Sequence, residues 1–189
     1  VTNPRLNGLA YELDEGTRKS HSMAQNTAFV EGFFKGISTK ESYRDSLTSL
    51  YYVYQAMEVD VLDNCAAQIN SVEKTIENSD DDSDSTTTTT DSSTSTSSMS
   101  MINKLDEPSL RRLAGLEKDM EYFYGTNDWR SNIPKPTKAT EAYVNRIKEI
   151  ASFASDSTTT NSDNDTDKQY LFIAHQYTRY LGDLFGGQM

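Results

Sequence analysis

Apolar residues recur at spacings of three and four along most of the chain, the repeat of one helical face. The first such segment covers residues 9–24 and sets Thr17, Arg18, His21 and Ala24 on neighbouring faces. A short apolar stretch, Phe29-Val30-Glu31-Gly32-Phe33-Phe34, follows, with Gly36 as its stop. Ser38-Thr39-Lys40-Glu41 has the form of a capping box. It opens a helix with apolar positions at Tyr43, Leu47, Leu50, Tyr51, Tyr54 and Met57, which continues past Val61 toward Ile69 with a break. Further on, Asp106-Glu107-Pro108 predicts a helix start, with Leu110, Leu113, Leu116 and Met120 as its stripe and Gly125 as its end. Residues 126–136, with Trp129, Pro134 and Pro136, form a loop. Thr137 caps a helix that carries Tyr143, Val144, Ile147 and Ile150, and a last helix runs from Tyr170 to Leu184. No strand-like alternation of useful length occurs, so the expected class is all-α, one domain of packed helices over residues 1–189.

Two stretches interrupt this pattern. Residues 79–100 and 155–168 are rich in Asp, Ser and Thr and, apart from Met99, hold no large apolar side chain. They cannot bury enough apolar surface to offset the entropy of ordering, and are expected as disordered inserts between helices. They also change the charge. Of the 29 acids and 18 bases behind the net charge of −11, the inserts hold nine acids and one base, which leaves 17 bases against 20 acids elsewhere. The helical part is thus mildly acidic, without the basic stripe that a nucleic-acid surface requires. Lys104, Arg111, Arg112 and Lys118 are too scattered to define a basic patch. Cys65 is the single cysteine, which excludes internal disulfides and thiolate clusters and fits a reducing intracellular compartment. No apolar run approaches the roughly 20 residues that span a bilayer.

The last helix breaks a local rule. Gly182, Gly186 and Gly187 each cost about 1 kcal/mol relative to Ala in a helix interior. Gly182 and Gly186 lie four apart and share a face of bare backbone. Close packing of another helix, a helix end, or a flat ligand lying against the backbone would each account for them.

The run Tyr177-Thr178-Arg179-Tyr180-Leu181-Gly182-Asp183-Leu184-Phe185-Gly186-Gly187-Gln188 closely resembles the kinked distal helix of haem oxygenases, with Phe185 where that family usually has Ser. The segment around His21, from Thr17 to Phe29, resembles the family's proximal helix. Ser49–Glu58 is similar to its third-helix motif, while Leu116–Gly125 and the stretch from Pro136 to Ile147 look like the cyanobacterial and plastid branch. The resemblance implies a helical bundle with haem between a proximal and a kinked distal helix. It implies His21 as axial ligand of the haem iron, with small Ala24 beside the imidazole. Gln25 stands where the family often has Glu, and Asp14 where a base is common. His175, seven residues before Gly182, is a second possible ligand on a straight helix, although its implied role in the family is structural.

The implied activity is haem oxygenase. Haem is cofactor and substrate, and O2 and electrons open it to biliverdin with release of carbon monoxide and ferrous iron. Asp183 is implied as the catalytic residue, holding an ordered water that supplies a proton. Arg18, Tyr177, Arg179, Gly182, Gly186 and Gly187 are the implied haem contacts. A non-catalytic haem sensor or carrier of the same fold is the alternative. Ferredoxin or another reductase is the expected electron donor, a bilin reductase a downstream partner, and the chain a monomer. A plastid location is expected, with the cytoplasm as alternative. Val1 is not an initiator Met, and Met189 falls within a patterned segment. A removed leader and a chain incomplete at its C-terminus are therefore expected.

Overall fold

The computed structural model describes residues 8–77, 93–125, 128–155 and 170–182, all of its regular elements being helical. Contacts group the chain into two units, divided between Ser46 and Leu47.

The first unit holds α1 (Leu9–Gln25), α2 (Ala28–Phe34) and the start of α3 (Lys40–Gln55). The Thr27 side chain accepts from the Val30 amide and opens α2. The predicted capping box shifts by one residue. Thr39, not Ser38, caps α3, its hydroxyl accepting from the Ser42 amide at 3.2 Å. Hydrogen bonds from its own amide and from Thr39 hold the Glu41 carboxyl below its ordinary pKa.

The second unit contains the core. From Gln55 the helix does not break. It widens into a first π-helical segment, Ala56–Asp63, and returns to α geometry in α4 (Asn64–Glu77). The insert predicted over 79–100 is too long at its far end. Residues 93–100 form the first turns of α5 (Ser93–Lys104), which packs on α4 and is anchored by buried Met99 and Ile102. Two apolar anchors outweigh a weak Ser/Thr run. The rest of that insert, and nearly all of 155–168, lies outside the described residues. The helix expected from Asp106 is also shorter. Only one 3₁₀ turn forms at Pro108–Leu110, and α6 (Leu113–Tyr124) starts three residues later. Gly125 ends α6 at φ 68°, as its position predicts. The loop after it contains a short turn, α7 (Trp129–Asn132), whose Trp129 meets Tyr51 edge-on at 5.0 Å. α8 (Lys138–Ser155) is capped by Thr137, as predicted.

α8 packs against the first π segment, α5 and α9 (Leu171–Gln176). Met57, Ile102, Ile147 and Phe172 are fully buried where these helices meet, and Met120 of α6 is fully buried in the same core, each contributing about 1.5–3 kcal/mol. α9 passes directly into a second π-helical segment, Tyr177–Gly182. This core supports the second π segment, whose last described residue is Gly182. Among the described residues no helix is long and apolar enough to cross a membrane.

Candidate functional site

The second π segment is held from beneath by the end of α3 and the start of the first π segment. Tyr54 donates its hydroxyl to the Arg179 carbonyl at 3.2 Å, and its ring packs on Tyr180 at 5.7 Å between centroids. Tyr180 points inward and donates its hydroxyl to Glu58 at 3.1 Å. Burial, then the Glu58 charge, push the Tyr180 phenol far above its ordinary pKa, so it remains a donor. Glu58 is a site residue that sequence reading missed, although an acid one turn after Tyr54 in the apolar stretch Ala56–Leu62 is a visible signal.

Gly182 is exposed at the end of this segment. Among the described residues nothing lies within 4 Å of where its Cβ would sit, so no helix described packs against that face. A cavity of about 380 Å³ lies beside the same segment, lined by Leu105, Leu110, Ile173, Tyr177, Tyr180 and Leu181. Gly182 is not among the residues that line it. Tyr177 is largely exposed, and Arg179 is half-buried. Asp183, Gly186 and Gly187 lie outside the described residues.

His175 has a structural partner. Its Nδ1 lies 2.9 Å from the Tyr143 hydroxyl, with the rings 5.5 Å apart. Burial, then Arg146 and Arg179, lower its pKa, which favours the neutral ring. Arg111 is engaged with Asp106 at 2.5 Å and Asp63 at 2.7 Å, which removes it from any free basic surface.

In the first unit, His21 sits on the exposed stretch of α1, and no described residue hydrogen-bonds its imidazole. Arg18, one turn earlier, is held by Asp14 and Glu15, each at 2.6 Å. Asp14, the unusual acid noted in the sequence, thus occupies the guanidinium. Asp14 first, with Glu15, raises the Arg18 pKa further. Among the described residues no group of three or more His, Cys, Asp or Glu is placed to hold a bare metal ion.

A family model described as Heme oxygenase matches residues 7–76 and 92–189, a span that contains both His21 and the glycine-rich run. The chain belongs to the haem oxygenase family. Haem oxygenase 1 of Synechocystis is 35% identical over 181 residues, covering 96% of this chain and 55% of its own length. The haem oxygenase of Porphyra purpurea is 36% identical over 184 residues, covering 97% of this chain and 58% of its own length. These relatives place the chain beside the cyanobacterial and algal haem oxygenases. The crystal structure of heme oxygenase-1 from Synechocystis in complex with heme aligns with a TM-score of 0.57 at 35% identity, over 94% of this chain and 59% of that one. The haem oxygenase from Leptospira interrogans aligns with a TM-score of 0.54 at 30% identity, over 94% of this chain and 63% of that one. The all-α fold of this haem oxygenase family member agrees with both. The chain spans somewhat more than half the length of the curated relatives it matches.

Proposed function

We propose that this chain is the haem-binding part of an enzyme that cleaves haem oxidatively to biliverdin, carbon monoxide and ferrous iron. The observation that carries this reading is that a single family match takes in both the helix with His21 and the run from Tyr177 to Gln188. The residues present fit a flat macrocycle on two counts. His21 offers an exposed imidazole with no described partner, and Gly182 offers backbone with open space before it. Bound haem supplies the redox chemistry toward O2 and is itself the ring that opens. His21 holds the iron through one ring nitrogen. Gln25, four residues on, can orient that ring by hydrogen bonding but adds no charge to it. Arg18, Tyr177 and Arg179 serve the propionates and the surrounding water, and Arg18 must give up Asp14 and Glu15 to do so. Gly182, Gly186 and Gly187 let the backbone lie close to the ring. Asp183 holds an ordered water and delivers the proton that ring opening consumes.

Ferredoxin, or another reductase, is the proposed electron donor. A bilin reductase is the proposed consumer of the product, and a monomer the proposed state. Relatives from cyanobacteria and plastid-bearing algae support a plastid location. Haem titration of the chain tests binding, with a shifted Soret band expected at one haem per chain. Adding ferredoxin, its reductase and NADPH tests turnover, with biliverdin absorbance and carbon monoxide as readouts. No Soret shift overturns haem binding, and a stable haem spectrum under reducing conditions overturns the catalytic reading.

A further inference from the structure

Among the described residues Glu58 is the one buried acid, 3% exposed, and no base forms an ion pair with it. An ionised carboxylate taken out of water must be met by donors. Its donors are the Arg112 amide at 2.7 Å, the Leu113 amide at 3.2 and 3.3 Å, and the Tyr180 hydroxyl at 3.1 Å. Two of these have a plain explanation. α6 has no cap of its own, since Arg112 at its N-cap makes no side-chain hydrogen bond. Glu58 takes the amides that would be left unpaired there, where negative charge is favoured.

The third donor needs a different account. Tyr180 belongs to the second π segment, three residues before Asp183. Tyr54 and Glu58, one helical turn apart, hold the consecutive residues Arg179 and Tyr180 of that segment. A π-helical turn is rarely stable on its own and concentrates at functional sites. Released from its tethers, such a turn can tighten to α geometry. The chain beyond the turn then rotates by about one residue, or roughly 100°. The two tethers oppose that rotation from below, at the point where the chain leads into Gly182 and Asp183.

We infer that Glu58 is a positioning residue: through the Tyr180 hydroxyl it fixes the rotation of the segment that leads into Gly182 and Asp183. The Tyr54 bond to the Arg179 carbonyl is the second point of the same clamp. The inference rests on the proposed role of Asp183 for its effect on turnover, but the clamp itself can be read without haem.

Tyr180→Phe separates clamp from cap, because it removes one hydroxyl and leaves both α6 amides on Glu58. Glu58→Gln and the double variant complete a cycle. In the haem-free chain, amide exchange over 178–184 should rise about tenfold in Tyr180→Phe, with α8 unchanged. In the haem-loaded chain, haem affinity should stay within about twofold and biliverdin formation should fall at least about tenfold. The pH midpoint of the ferric haem's visible spectrum should move. The double variant should be no worse than the stronger single one, because both remove the same bond. Wild-type exchange and an unmoved pH midpoint in Tyr180→Phe would overturn the inference, as would additive effects in the double variant. If Glu58→Gln does not fold, Tyr180→Phe alone decides. A wild-type chain that takes up no haem strikes down the proposed reaction instead, and exchange in the haem-free chain still decides the clamp.

Discussion

His21 and Asp183 differ in what their removal should change. His21 stands exposed on α1 without a described partner, so its loss costs the first unit little packing. His21→Ala should lose the axial imidazole signature of ferric haem, and imidazole added from solution should restore it. An unchanged spectrum would reject the assignment. Asp183 is proposed to act on a proton rather than on the haem itself. Asp183→Ala should therefore bind haem as before and form biliverdin roughly 10²-fold more slowly, the ordinary weight of general acid catalysis. Full turnover, followed by the rise of biliverdin absorbance, would reject the role. Arg18 is a different case. Its charge is already shared with Asp14 and Glu15 on an exposed face, and exposed pairs of this kind contribute little to stability.

Two glycines of α6 show how an element uses the same residue in opposite ways. Gly125 has φ 68°, a left-handed position that closes the helix. Gly125→Ala should destabilise by about 1–2 kcal/mol, or at least 2–4 °C in melting temperature for a chain of this size. Gly115 lies within the helix, with open space where a Cβ would sit. Gly115→Ala should stabilise by about 0.5–1 kcal/mol, so thermal melts of the two variants should move in opposite directions. Gly125, Thr137 and the stripe of Leu116 and Met120 were legible in the sequence because each acts through local geometry or simple periodicity. The π segments were not. One extra residue per turn leaves no periodic trace in so short a window, and the segment after Gln55 read as a break. The start of α6 was misplaced for a related reason. Its cap comes from Glu58, far away in sequence, while Glu107 and Pro108 make a local start that ends after one turn. The helical end of the first insert was hidden by composition, since only Met99 and Ile102 reveal it. The run from Tyr177 and the His21 segment were visible as motifs, whereas the support beneath Arg179 and Tyr180 was not.

For the whole molecule, stability should depend on pH through His175. Its folded pKa lies below the ordinary value of 6.5, because of burial and then Arg146 and Arg179. As pH falls, the unfolded chain takes up the proton first. The contribution is therefore complete above about pH 6.5 and is lost as pH falls through the folded value. Urea midpoints should decline from pH 7.5 to 5.5, and His175→Gln should flatten that decline; an unchanged slope in the variant would reject it. The surroundings of the ring are all in the second unit, on α8 and along α9 and the π segment. The titration therefore reports on the body that carries the glycine-rich run.

The borrowed cap of α6 has a consequence for how the chain acquires its structure. Glu58 precedes Arg112 by 54 residues. Local sequence alone leaves the first amides of α6 unpaired, so an early, isolated α6 frays at its start. Its first turn is completed only after the intervening loop has closed and brought the carboxylate to it, an entropic cost that must be met first. The same carboxylate accepts from Tyr180, so the start of α6 and the second π segment depend on one shared residue.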